Sequence, residues 1–303
     1  MKSIYKNYKI SKELLPDMTY ATEQLTANQE GFGSFIMSVT SFFKKKIEAI
    51  AGIFGLNSKN DTKEVSKETT ALYKEFTKYD KAIDKAVKSD PKVYNNVKSI
   101  LLPWIPGVKP DLYSLVTGLK LHVDAIETKA IPLLEATDTF VSKLLGDEDY
   151  RTSIIPNKEL VENLKSYSKE TTNYLVDIIN GKQVSDSREF GDVIPNLQSI
   201  EAIHGSLKDM LFAKDLEKVQ EIFNYANKIG NNAKELLNQA QKNNLNISKV
   251  RANELGPVLQ ESAAIVTNVA AIVRILDASV KIHKTILAKL DMIITVSYTH
   301  LRA

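Results

Sequence analysis

From Leu255 to Ile294 the apolar residues recur at steps of three and four: Val266, Val269, Ile272, Leu276, Val280, Leu287 and Leu290 fall on one stripe. A stripe sustained that long has only one regular solution, a long helix with one face against partners. Four shorter stripes repeat the pattern. Val65, Thr69, Leu72, Phe76, Tyr79, Ile83 and Ala86 form the first, with Asp61 placed as its N-cap and Pro91 after its end. The second runs through Leu112, Leu115, Leu119, Val123, Ile126, Ala130, Leu133 and Leu144, with Pro132 expected to kink it. Leu160, Leu164, Tyr167, Thr171, Tyr174 and Ile178 form the third, closed by Asn180-Gly181 as a helix C-cap. Val219, Ile222, Ala226, Ile229, Ala233, Leu236 and Ala240 form the fourth. Alternating Val/Ile/Thr runs and hairpin turns are scarce. The expected fold is therefore all-α, an elongated multi-helix bundle with lengthwise, coiled-coil-like packing.

Punctuation falls at Leu101–Pro110, Gly146–Asn157 and Asn180–Asn196, which read as inter-helix loops. The last is long enough to divide an N-terminal bundle, 31–180, from a C-terminal one, 197–295, after an arm over 1–30. The closing "VSYTHLRA", 296–303, is what one frame of a widely used transposon-end sequencing adapter encodes. Its expected origin is a reading frame that ran into adapter in an assembled metagenomic contig. His300 and Arg302 are set aside with it.

Charge and chemistry exclude more than they select. Forty basic residues stand against 37 acidic ones, so net charge makes no general case for nucleic acid. The bases are overwhelmingly lysine; the arginines are Arg151, Arg188, Arg251, Arg274 and Arg302. A surface reading bases would favour the planar guanidinium fork. Without cysteine there is no disulfide, thiolate metal site or cysteine nucleophile. The start, "MKSIYKNYKISKELL", lacks the apolar core of a signal peptide, and Ala263–Val273 is too short an apolar run to span a bilayer. A soluble chain with neither signal peptide nor transmembrane helix is the expectation.

His122, His204 and His283 have no second histidine or carboxylate at zinc-site spacing, and His283 falls on the last stripe as a core residue. Asp147-Glu148-Asp149 lacks the further oxygen ligands of a calcium loop. "GFGS", Gly31 to Ser34, lacks the third glycine and the Lys-Ser/Thr ending of a phosphate loop. No catalytic residue, cofactor, metal or small-molecule substrate is expected, and the chain reads as a non-enzyme.

One stretch stands apart. Phe32, Phe35, Ile36, Val39, Phe42, Phe43, Ile47, Ile50 and Phe54 share a helical face, with Lys44, Lys45, Lys46 and Glu48 partly opposite. Such a face suits either core packing or a membrane surface. A short segment ending in glutamate, then "GFGSF" and "SFFKKKIEAI", then a Lys-rich bundle, resembles the internal head and other virion structural proteins of large tailed bacteriophages. The closing stretch "VLQESAAIVTNVAAIVRILDASVKIHKTILAKLDMII" is similar to their closing helix. That resemblance implies synthesis in the host cytoplasm and a place inside the capsid. The implied partners are other capsid or internal virion proteins, with packaged DNA touched non-specifically through Lys44 to Lys46. It also implies a propeptide removed by a prohead protease after Glu30 or Glu23. Ala21-Thr22-Glu23 matches the family's preference for a small or apolar residue two before the glutamate, as does Leu133-Leu134-Glu135. Asn28-Gln29-Glu30 departs from it. Two alternatives stay open: a membrane-acting protein of the helical pore-forming kind, inserting 32–54 or 263–276, and a cytoplasmic coiled-coil scaffold.

Overall fold

A computed structural model describes residues 74, 76–81, 83–84, 88, 91–105, 107–178, 187–212, 215–242 and 246–300. The candidate cleavage sites Glu23 and Glu30, the face from Phe32 to Phe54, Lys44 to Lys46 and the caps Asp61 and Asn180-Gly181 lie outside the described residues. Helical residues at 74, 76–81 and 83–84 precede α1 (Pro91–Val97) and β1 (Leu101–Pro103). There follow α2 (Leu112–Ala125), a π-helical segment (Ile126–Ala130), α3 (Ile131–Gly146), α4 (Glu148–Thr152) and α5 (Lys158–Ile178). Then come β2 (Ser187–Glu189), α6 (Phe190–Val193), α7 (Leu197–Phe212), α8 (Asp215–Gln241) and α9 (Lys249–His300). The chain is an all-α, elongated helical bundle. At about 1.5 Å per residue, the 52 residues of α9 extend roughly 78 Å.

The second stripe is one composite rod. Pro132 has no amide hydrogen, and its ring crowds the carbonyl four residues back. The ladder relaxes just before it into the wider π form, where the Ile131 amide reaches back to the Ile126 carbonyl. Asp111 caps the rod's start, accepting from the Ser114 amide at 3.0 Å and the Ser114 hydroxyl at 2.6 Å. α5 runs back along the rod, with the Tyr174 ring so close to Gly118 that a Cβ there would stand 2.8 Å from it. Through α7 and α8 the chain again takes the rod's direction, as successive contacts Lys120–Asp209, Glu127–Lys218 and Asp138–Asn232 show. α9 returns parallel to α5, against which it packs most extensively.

All three of the expected loops hold regular structure. Leu101–Pro103 and Ser187–Glu189 pair as an antiparallel two-stranded ribbon, Leu102 opposite Arg188. Beyond it Phe190 and Gly191 donate to the carbonyls of Ile100 and Lys98, both at 2.8 Å. The chain after β1 turns at Gly107, whose φ of 81° suits a residue without a Cβ. Trp104 is buried there and donates from Nε1 to the Val108 carbonyl at 2.8 Å. Gly146–Asn157 contains α4, capped by Asp147, which accepts from the Tyr150 amide at 2.9 Å.

Buried apolar side chains gather in two clusters strung along α9. The first joins α3, the start of α5 and α8 to the Leu255–Val273 part of α9. The second joins Phe76, Ile83, β1, α2, α7 and the end of α5 to Ile272–Leu290. Each cluster draws on both sides of the 180–196 stretch.

Candidate functional site

Most buried polar side chains of α9 meet a neighbouring helix. At its start, Ser248 caps the helix, accepting from the Arg251 amide at 3.2 Å and donating to the Ser153 carbonyl at 2.7 Å. Arg251 donates to Glu254 at 2.8 Å and to the Tyr150 carbonyl at 3.1 Å, its guanidinium 4.1 Å from the Tyr150 ring centre. The Asn157 amide donates to Glu254. Arg151 donates to the carbonyls of Leu144 and Leu145, the open end of α3, and to Asn246. Two of the chain's few arginines thus fix the base of α9 through forked donors that lysine lacks. Farther along, Ser262 shares a 2.9 Å hydrogen bond with Thr137 of α3. Asn268 donates to the Ser168 carbonyl at 3.1 Å and to Thr172 at 3.0 Å, and Ser168 donates to Glu261.

The second cluster is pinned differently. His283 is fully buried, and its Nε2 lies 2.9 Å from Nδ1 of His204 on α7. Nε2 of His204 lies 2.9 Å from the Asp80 carboxylate, whose other oxygen accepts from Lys208 at 2.8 Å. Phe76 stacks on His204 with ring centres 5.2 Å apart, and its ring lies 5.7 Å from His283. Three elements distant in sequence thus meet in one chain of hydrogen bonds running from a half-exposed carboxylate to a buried imidazole.

The charges follow. Burial costs the Asp80 carboxylate solvation, but hydrogen bonds from Lys208 and His204 outweigh it and hold its pKa below the usual value. Burial lowers the His204 pKa against the pull of Asp80. Burial, with His204 alongside, lowers His283 to about 3. Both rings are neutral at pH 7. The carboxylate needs a hydrogen on His204 Nε2, so His204 Nδ1 accepts and His283 Nε2 donates. His283 Nδ1 is left bare, buried and without a partner.

His283 is a core residue, as its place on the last stripe suggests. Its partners stand 79 and, through His204, a further 124 residues away, so no local spacing announces them. His122 is half-buried and stacks on Tyr174 with ring centres 4.0 Å apart. Among the described residues no group of three His, Cys, Asp or Glu is arranged to hold a metal ion, and Asp147 is engaged as a helix cap. The interrupted run at Ala263–Val273 lies within a helix, Lys249–Leu290, that is long and apolar enough to cross a membrane by length and composition alone. Its most apolar window is 72% buried inside the protein. No family model matches the chain, and neither a curated protein nor a solved structure matches it.

Proposed function

We propose that the chain is a non-enzymatic virion structural protein, packaged inside a phage capsid and processed near its N-terminus by a prohead protease. The observation that carries this reading is the use made of buried polarity. Along α9 the buried Arg251, Ser262, Asn268 and His283 bond to neighbouring chain, at the Tyr150 carbonyl, Thr137, Ser168 and His204. Such pinning sets the register of a long rod, which is what a load-bearing component of a particle needs. The Phe/Lys segment beginning at Gly31 adds the resemblance to internal head proteins. N-terminal mass spectrometry of protein recovered from finished particles tests it. A start at Gly31, or failing that at Gln24, is expected; an intact Met1 or Lys2 start refutes the processing and removes most of the support for the capsid assignment.

One observation favours a second reading, a membrane-acting protein of the helical pore-forming kind. A helix apolar enough to span a bilayer lies sheathed by amphipathic neighbours. Dye release from liposomes of several compositions separates the two: release at micromolar protein supports the membrane reading, and intact vesicles throughout count against it.

A further inference from the structure

We infer that the Asp80–His204–His283 chain is an acid-release latch, holding the helical residues 76–81 and α7 against the far half of α9 and letting go when the chain takes up one proton. The inference is independent of the capsid assignment, because it rests on hydrogen-bond valence alone.

The four ring nitrogens and the carboxylate admit one neutral arrangement, with hydrogens on Nε2 of both rings. Adding a proton leaves no satisfactory one. On His283 Nδ1 it creates an N–H that is buried and has no acceptor. On His204 Nδ1 it sets two N–H groups face to face, unless His283 shifts its own hydrogen to Nδ1, which restores the same orphan. On the Asp80 oxygen beside Lys208 it opposes an ammonium donor. On the other Asp80 oxygen it takes the place of the His204 hydrogen and drives the same shift inward. On the rings each outcome leaves a buried donor unpaired or two donors in collision, on Asp80 it cancels the charge that Lys208 and His204 hold, and breaking the contact is the relief available.

The groups bearing on the chain come from each element around it: Asp80 on the helical residues 76–81, His204 and Lys208 on α7, and His283 on α9. On α9 itself, Lys281 pairs with Asp277 at 2.6 Å. Across α7, Asp209 pairs with Lys120 of α2 at an exposed site. Asp80 is 42% exposed, so protons enter from solvent at that end and need not cross the core. The stretch that lifts is the one held by Phe76, Ile83 and Asp80, each contacting the second cluster or the chain itself.

Hydrogen exchange on the full-length protein at pH 7.5 and 5.0, corrected for intrinsic rates, tests the latch. With His283 titrating near 3 when closed and near 6.5 when open, opening of the amides at 76–81 should rise about 30-fold at pH 5.0, with α3 and α8 unchanged. The variant His283→Gln keeps a donor for His204 Nδ1, yet its amide can turn to accept from a protonated His204. Its acid response should shrink to threefold or less, since Asp80, with an ordinary pKa of about 3.9, adds almost nothing by pH 5.0. Should that variant lack protection in α3 and α8 at pH 7.5, imidazole nitrogen shifts of the unaltered protein decide instead. Both rings as Nε2–H tautomers at pH 7.5 support the latch. An Nδ1–H tautomer at His283, equal exchange of 76–81 at both pH values, or a full acid response in His283→Gln overturns it.

Discussion

The two clusters on α9 share a helix and differ in how they are fastened to it. In the first, the fasteners are hydroxyls, an amide and a guanidinium whose donors meet acceptors: Ser262 with Thr137, Asn268 with Ser168 and Thr172, Arg251 with the Tyr150 carbonyl. In the second, the fastener is a file of titratable groups ending on a nitrogen with no partner. Hydroxyls and amides keep their hydrogen count from pH 4 to 9; imidazoles do not. Burial is equally deep at the two ends, so depth alone does not make a core sensitive to acid. The protonation count of its polar contacts does.

The comparison breaks most decisively at the base of α9. Replacing Glu254 with Leu strands a buried guanidinium and frees the Asn157 amide, and should cost about 3–5 kcal/mol of stability at pH 7 by urea unfolding. That loss should be the same at pH 5, because the first cluster carries no buried histidine.

Acid acts on the other end. The His283 pKa in the folded protein lies below its unfolded value near 6.5, so its contribution to stability is complete above that value and fades as pH falls toward 3. Between pH 7 and 5 the loss should be about 2 kcal/mol. Asp80, also depressed, adds a further loss of the same sign as pH falls below its ordinary value. Fluorescence of Trp104, the single tryptophan and a member of the second cluster, should report this change before circular dichroism of the whole chain does. Coincident midpoints would show that the clusters do not respond separately.

Asn268→Ala should cost about 1–2 kcal/mol, since the Ser168 carbonyl and the Thr172 hydroxyl lose a donor while little apolar volume goes. At the other extreme stands Lys129→Ala, which removes a half-exposed ion pair with Glu170 and should shift stability by less than about 1 kcal/mol. A larger effect there would mean that surface charge sets the register of α5, and not its polar pins.

Much of this fold is legible along the chain because helices are local. Leu112 to Leu144 and Leu255 to Leu290 display their period without help from anything distant, and Pro132 marks where the first must loosen. α7 carried the same signal, with Leu197, Ile200, Ile203, Leu207 and Met210 behind an Asn196 cap, but its start abuts a Pro/Gly/Asp-rich stretch that reads as a boundary. The ribbon was not legible. Leu101–Pro103 and Ser187–Glu189 are three residues each without alternation, and they are strands only because each supplies the other's hydrogen bonds. The imidazole chain was hidden more deeply. Asp80, His204 and His283 belong to three separate helical patterns, and the packing of those patterns, not any spacing, brings them to 2.9 Å.

The length of α9 between its two sets of pins has a consequence for how this gene can vary. Ser262 and His283 are 21 residues apart on an unbroken helix, about 30 Å along its axis. Inserting or deleting a single residue between them would turn one end by about 100° against the other. Either the hydroxyls would leave α3 or the imidazole would leave α7. Seven residues at once would nearly restore the phase, though not the distance. The segment therefore works as a ruler: it can tolerate many exchanges of one apolar side chain for another, but almost no change in their number.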